Sequence, residues 1–201
     1  IPSQKNDWVE GEELWKQLNS YIPDLKKVYF TGGEPTLVED VYNFMADIID
    51  KGYQDKVDIM FNSNCTNLQP RFIDALSKFK HVQINASIDG AYEMNDYIRH
   101  PSRWKAIDKN IRALAQLPNL NLDFSPVIMI YNILQIYDLL DYAERISQVY
   151  GTIIDVDFLY CQHPAHLDPM NLDDHTREQA FISLWRAKDR WLYKKSELTR
   201  N

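Results

Sequence analysis

The chain has 201 residues, 45% of them apolar and 25% charged, enough for one domain with its own core and too short for two comfortable ones. Its 22 lysines and arginines face 29 aspartates and glutamates, a net charge of -7, so no broad basic surface for nucleic acid or anionic lipid is implied, although a local basic pocket stays open. The longest apolar stretches, such as Val127-Ile128-Met129-Ile130-Tyr131, fall far short of the roughly 20 residues a membrane span needs, and two cysteines, Cys65 and Cys161, cannot build a disulfide framework, so a soluble, cytoplasmic protein is expected.

The chain opens Ile-Pro-Ser-Gln, with no initiator Met and no signal-peptide pattern, so a segment upstream is expected to be missing. Residues 8–20 read as a helix with Leu14, Trp15 and Leu18 on one edge, followed by a strand at 27–31. Val41, Met45, Ile48 and Ile49 step by three and four along a second helix, which Gly52 ends. A strand at 57–61 leads to Pro70, where a helix with Phe72, Ile73, Leu76 and Phe79 begins. The next strand covers 81–86, and Pro101-Ser102 marks the start of a helix with Trp104, Ile107, Ile111 and Leu114. Strands at 120–130 and 153–160 flank a helix with Ile133, Ile136, Leu140, Ala143 and Ile146. A Pro- and His-bearing stretch, 161–174, and a last helix with Phe181, Ile182, Leu184, Trp185 and Trp191 close the chain.

Strict alternation of this kind predicts βαβ units and a parallel sheet, hence an α/β fold with residues 1–160 as its body and 161–201 as a C-terminal extension. An open doubly wound sheet and a complete or partial barrel both satisfy the pattern. The six glycines fail the G-x-G-x-x-G spacing of a dinucleotide site, and no Gly-Lys-Ser/Thr occurs.

In parallel β/α folds the chemistry lies at the C-terminal ends of the strands. Here the first end reads Phe30-Thr31-Gly32-Gly33-Glu34-Pro35, where paired glycines let a ligand approach the main chain and Glu34 offers a carboxylate to a cation. A tight turn with a solvated glutamate is the plain alternative. At the second end Asn62-Ser63-Asn64-Cys65-Thr66-Asn67 gathers amides and hydroxyls, which either contact a ligand or form a turn capping the next helix. The third end places Ser87 and Asp89 on one face of extended chain, and Arg99 follows beside Pro101, either as a carboxylate clamp or as an ordinary surface arginine. Together these suit a zwitterionic ligand: Glu34 for an ammonium, Arg99 for a carboxylate, hydroxyls and amides for a ribose.

At these positions the chain resembles the radical S-adenosylmethionine superfamily, and within it the twitch-domain-containing, peptide-modifying or small-molecule-modifying branches. The likeness rests on Tyr-Phe-Thr-Gly-Gly-Glu-Pro at 29–35, Asn-Ser-Asn-Cys-Thr at 62–66, Ser-Ile-Asp-Gly at 87–90, and Tyr-Ile-Arg-His-Pro at 97–101, with Trp104 and Asn110-Ile111 following. It covers roughly residues 8–160. The resemblance implies a partial (β/α)6 TIM-like barrel whose first strand is missing from this chain. It implies that Gly32, Gly33 and Glu34, with Pro35 completing the motif, hold the methionine amino group of S-adenosylmethionine. Asn64, Ser87 and Asp89 then sit near its ribose and methionine, and Arg99 near its carboxylate. The superfamily's 4Fe-4S cluster takes three cysteines, usually Cys-x-x-x-Cys-x-x-Cys, a spacing that Cys65 and Cys161 cannot supply, so its ligands are expected upstream of Ile1 and no metal ligand is assigned within the chain.

By resemblance, then, the parent protein reductively cleaves S-adenosylmethionine to a 5'-deoxyadenosyl radical that abstracts hydrogen from a small-molecule or peptide substrate. Its electron donor would be a flavodoxin or ferredoxin, no nucleic acid or membrane is a partner, and the segment alone is expected to be inactive. The rival reading is a cysteine-less, non-catalytic β/α module that recognises a peptide or protein. A third rests on Cys161, His163 and His166, zinc-type residues without standard finger spacing, with His175 as a borrowed fourth ligand.

Overall fold

The computed structural model describes residues 12–198; the expected helix start at Trp8, the opening tetrapeptide and the side chain of Trp191 lie outside the described residues. In chain order the elements are α1 (Glu12–Tyr21), β1 (Lys27–Phe30), α2 (Glu39–Asp50), β2 (Asp58–Ser63), α3 (Pro70–Ser77), β3 (Val82–Ala86), α4 (Glu93–Ile98) and α5 (Trp104–Leu114). They continue with β4 (Leu120–Phe124), β5 (Val127–Ile128), α6 (Ile136–Tyr150), β6 (Ile154–Val156), β7 (Leu159–Tyr160) and α7 (Asp174–Leu198).

Five strands form one parallel sheet in the order β1-β2-β3-β4-β6. Strand order never reverses, so the crevice of a doubly wound sheet has no counterpart among the described residues. The reason lies in the alternation. Ile59 and Phe61, Ile84 and Ala86, Leu122 and Phe124, and Ile154 are buried under the helices, while their neighbours in sequence face the other side. Phe61 stacks on Phe30 with centroids 4.8 Å apart and meets the edge of Phe72 at 5.0 Å. Each such fully buried side chain contributes about 2–3 kcal/mol of transfer free energy. Helix punctuation agrees with the sequence: Pro70 opens α3, and Gly52, just past α2, has φ +75°.

Three features depart from the sequence reading. The strands expected at 120–130 and 153–160 are each broken in two: Ser125 N–H completes the last rung to Ala86 O at 3.0 Å, and Pro126, which follows, has no N–H to continue the ladder. Beyond the break β5 pairs with β7 in parallel as a second, two-stranded sheet. Hydrogen bonds from Asp157 N to Phe124 O (2.8 Å) and from Leu159 N to Pro126 O (2.9 Å) carry the ladder across the gap. The short α4 was not anticipated, being too brief to show a period. The fourth crossover helix begins at Ile136 rather than Ile133.

After β7 the chain makes two 3-10 turns, and α7 packs on α6 with Ala180 buried and Leu172 and Leu184 against the core. No helix among the described residues is long and apolar enough to cross a membrane.

Candidate functional site

The polar residues singled out in the sequence lie at the strand ends in two clusters. In the first, Gly32 (φ +86°) and Gly33 (φ +30°) take backbone conformations that side-chain-bearing residues rarely adopt, and both are exposed. They deliver Glu34, half-buried, onto the end of β2. Glu34 Oε1 accepts Thr36 Oγ1 at 2.7 Å, Ser63 Oγ at 2.9 Å and Thr36 N at 3.3 Å, and Oε2 accepts Asn64 N at 2.7 Å. All four donors are neutral, and no cation pairs with this carboxylate among the described residues. Pro35 and Thr36 are buried beneath it, and Tyr42 Oη donates to Thr36 O at 2.7 Å. The glutamate is therefore built into the wall rather than solvated, as the plain reading had it.

At the second strand end Asn64 forms a turn, although the helix that follows begins at Pro70 behind Gln69 and takes no side-chain cap from it. Asn64 Oδ1 accepts Thr66 N at 2.9 Å and Thr66 Oγ1 at 2.6 Å, an Asx turn, while its own N–H anchors Glu34. Next to it Cys65 is fully buried at φ 55°, with its N–H on Ser63 Oγ at 3.0 Å and its carbonyl accepting Asn110 Nδ2 at 2.8 Å. Burial above all, and then the charge of Glu34, push the Cys65 thiol up to about 12, with the Ser63 hydrogen bond and the Arg99 charge opposing. Both charges of the candidate site thus act on one buried sulfur.

The second cluster surrounds Asp89 at the end of β3. Asp89 is buried; Oδ2 lies 2.7 Å from Arg99 Nε, and Oδ1 accepts Val127 N at 2.8 Å. Its main chain is held too, with N donating to Asn95 Oδ1 at 3.1 Å and O accepting Asn132 Nδ2 at 2.6 Å. Both carboxylate oxygens are committed to protein partners, and the Arg99 side chain beside them keeps 28% of its exposure. Ser87 is half-buried, and its N–H donates to Ser63 O at 2.8 Å, which joins the two clusters through the backbone.

The helix-free face of the sheet extends the polar run from Asn62 to residues that the sequence did not assign to the site. Register places Asn62, Asn85, Asp123 and Asp155 in one row across β2, β3, β4 and β6. Asn62 Nδ2 reaches Thr31 Oγ1 at 3.4 Å, Asn85 Nδ2 donates to Asn62 Oδ1 at 3.1 Å, and Gln83 Nε2 bridges Asn85 Oδ1 (3.2 Å) and Asp123 Oδ2 (3.0 Å). Burial raises the Asp123 carboxyl above its ordinary value; the Gln83 hydrogen bond opposes this, and the charges of Asp155 and Asp157 reinforce it. Ser63, part of the polar run at 62–67, proves to hold Glu34, whereas Asn95 and Asn132 were not brought forward. Asn95 lies within the short α4 and Asn132 in the turn after β5, and neither carries a sequence signal beyond being a polar residue.

Among the described residues no three His, Cys, Asp or Glu side chains converge as a metal site. Cys65 and Cys161 are both buried free thiols, and Cys161, His163, His166 and His175 do not assemble.

A family model described as "Radical SAM superfamily" matches residues 2–143. Three crystal structures of Streptococcus suis SuiB share the fold at 15% identity. SuiB alone has a TM-score of 0.61 over 94% of this chain and 40% of its own. SuiB bound to S-adenosylmethionine gives 0.61 over 92% and 41%. SuiB bound to the precursor peptide SuiA gives 0.60 over 89% and 39%. The chain thus spans about two fifths of the SuiB length. No curated protein matches it.

Proposed function

The chain belongs to the Radical SAM superfamily, and from that premise we propose that its strand ends bind S-adenosylmethionine and that it forms the cofactor-binding body of a larger radical enzyme. The observation that carries this reading is Glu34: a half-buried carboxylate fixed by four neutral donors and left without a counter-charge. An ammonium group placed over Gly32 and Gly33 would supply the missing charge, and a charge-assisted hydrogen bond there contributes about 1.5–3 kcal/mol. Glu34, with Gly32, Gly33 and Pro35, therefore takes the amino group of the methionine moiety. Arg99, aimed by Asp89, takes its carboxylate through the guanidinium nitrogens that the ion pair leaves over. Asn64 and Ser87 lie between the two, suited to hydroxyl groups.

The chemistry that S-adenosylmethionine supplies when bound at a reduced 4Fe-4S cluster is radical hydrogen abstraction. The described residues do not fit that cluster, since they bring no three thiols or other ligands together. In this reading its cysteines belong to polypeptide outside the 201 residues, and the segment alone is inactive. The outer edge of β1 supports the same view: it has no strand partner among the described residues and borders a groove of about 720 Å3 floored by Leu14, Trp15, Leu18, Val28 and Phe30. A further parallel strand preceding α1 fits that edge and would extend the sheet toward a partial (β/α)6 barrel. Residues 1–160 then form the barrel portion and 161–201 a closing extension.

A peptide is the favoured substrate, because SuiB, which shares the fold, is seen bound to a precursor peptide. A twitch-domain-containing architecture, a flavodoxin or ferredoxin as electron donor, and a cytoplasmic setting belong to the same reading. The test is Glu34→Gln in the full-length protein after anaerobic cluster reconstitution. Calorimetry should show S-adenosylmethionine binding weakened about tenfold or more, in line with the loss of one charge-assisted bond. Unchanged affinity would remove Glu34 from the role, and a full-length protein that takes up no cluster would favour the non-catalytic module instead.

A further inference from the structure

The outer surface of α5 and α6 carries a feature that the strand-end site does not use. α5 buries Trp104, Ile107, Ile111 and Leu114, and its other side presents Lys105, Lys109 and Arg112, with Arg103 at its N-cap. Between α5 and α6 runs a groove of about 540 Å3. Trp104 and Tyr142 form its floor with ring centroids 4.8 Å apart, and Tyr92, 5.5 Å from Trp104, forms a wall. Val149, 65% exposed, stands on the α6 rim beside Arg145.

The charges here run against the chain as a whole. Arg112 pairs with Asp108 at 2.9 Å, and Asp108 also accepts Tyr142 Oη at 2.9 Å. Arg145 donates to Tyr92 Oη and lies 3.5 Å from Asp141. Arg103, Lys105 and Lys109 have no side-chain partner among the described residues. Lys105, Arg112 and Arg145 thus line the groove with Asp108, and Arg103 and Lys109 line an adjoining hollow along α5 that shares Lys105, Asp108 and Arg112 with it, on a protein whose net charge is -7. Clustered uncompensated charge of one sign repels itself and is relieved by an anionic partner.

The geometry points to this groove as a docking site for an acidic polypeptide segment with an apolar anchor residue. The carboxylates of such a segment meet Lys105 at the groove and Arg103 and Lys109 in the adjoining hollow along α5, and the anchor lies against Tyr92 and Val149. A nucleic acid fits less well. Its phosphates recur about every 1.7 Å of duplex axis, whereas Asp108 and Asp141 interrupt the positive face and the rest of the chain is acidic. Spaced carboxylates avoid those two groups, and the aromatic floor rewards an apolar side chain that a phosphate backbone does not offer.

The inference does not depend on the cofactor reading, and it is tested without activity. A fluorescein-labelled peptide of glutamates interrupted by one phenylalanine is titrated with the 201-residue protein and followed by anisotropy. Saturable binding is expected, weakening as salt is raised through the range where the Debye length falls below about 10 Å. Lys105→Glu with Lys109→Glu should weaken it about tenfold or more, as expected for reversed rim charges. Lys26→Glu, an exposed charge before β1, should leave it unchanged. Exchanging the phenylalanine for serine should also weaken binding. The proposal is overturned if the wild-type protein does not bind the peptide at low salt, if the double variant binds as well as wild type, or if a single-stranded oligonucleotide of equal charge binds more tightly.

Discussion

Asp89 Oδ2 and Arg99 Nε lie 2.7 Å apart beneath the turn that leaves β3, and the other oxygen of Asp89 accepts the backbone N–H of Val127 at 2.8 Å. One buried carboxylate thereby ties the C-terminal end of α4 to the point where the fourth strand breaks. Asp89→Ala strips both partners at once and should cost about 2–4 kcal/mol, less than a fully buried pair because the guanidinium reaches solvent. Asp89→Asn keeps an acceptor for Val127 and should cost less. Urea denaturation of the two variants decides this, and equal losses would show that the charge facing Arg99 carries the whole effect and the retained acceptor for Val127 contributes nothing.

Asp123 gives a pH dependence with a definite sign. Its carboxyl is raised above the ordinary 3.8 by burial, with the charges of Asp155 and Asp157 adding to the effect. The folded state then holds the proton more tightly than the unfolded chain. Stability falls as pH rises from the unfolded value through the folded one, and the penalty is fully present above that window. Asp123→Asn should accordingly stabilise the protein at neutral pH and do little below the unfolded value. Thermal melts at the two pH values check the sign, and a carbon-13 titration of Asp123 should move down in Asp155→Asn.

The sheet was legible in the sequence because alternation is local: Ile59, Phe61, Ile84, Leu122 and Phe124 announce a buried face one residue at a time. Gly52 and Pro70 punctuate helices for equally local reasons. The split of the fourth and fifth strands was not legible, since Pro126 sits inside an apolar run and the rescue of the ladder depends on Asp157 and Leu159, far along the chain. The site residues divide the same way. Glu34 and Asn64 stood out at strand ends, but that the backbone N–H of Asn64 holds Glu34 depends on a contact 30 residues apart. Nothing in the sequence singled out Asp123. Only the register of β3, β4 and β6 sets it beside Gln83 and Asp155.

Cys65 should be chemically silent in the native protein. Its thiol is buried and pushed up to about 12, so at pH 8 the nucleophilic thiolate is scarce and unreachable. Alkylation by iodoacetamide at that pH should label Cys65 only after denaturant is added, as peptide mass mapping would show. Because the folded state retains this proton longer than the unfolded chain does, stability should also decline as pH rises above 9, the ordinary thiol value. Rapid native labelling at Cys65 would mean that the loop holding Glu34 opens readily.

Asn132 is fully buried and makes three hydrogen bonds with one side chain. Its Nδ2 donates to Asp89 O at 2.6 Å and Val127 O at 2.8 Å, and its Oδ1 accepts Met129 N at 2.8 Å. It closes the turn after β5 and pins that turn to the loop bearing Asp89. Asn132→Leu keeps the volume and removes every partner, leaving an amide and two carbonyls buried without bonds. At about 1–3 kcal/mol for each unsatisfied group, and with some relaxation, the loss should reach about 3 kcal/mol or more. Hydrogen exchange separates this local effect from general weakening. The Met129 amide, whose acceptor is the missing Oδ1, should lose protection by more than the global change, and so should Val127, whose acceptor Asp89 is no longer held. The amides of Ile59 and Ile84, in the sheet centre, should follow the global stability alone. Uniform loss at all four positions would mean that Asn132 is packing rather than a clamp on the Asp89 loop.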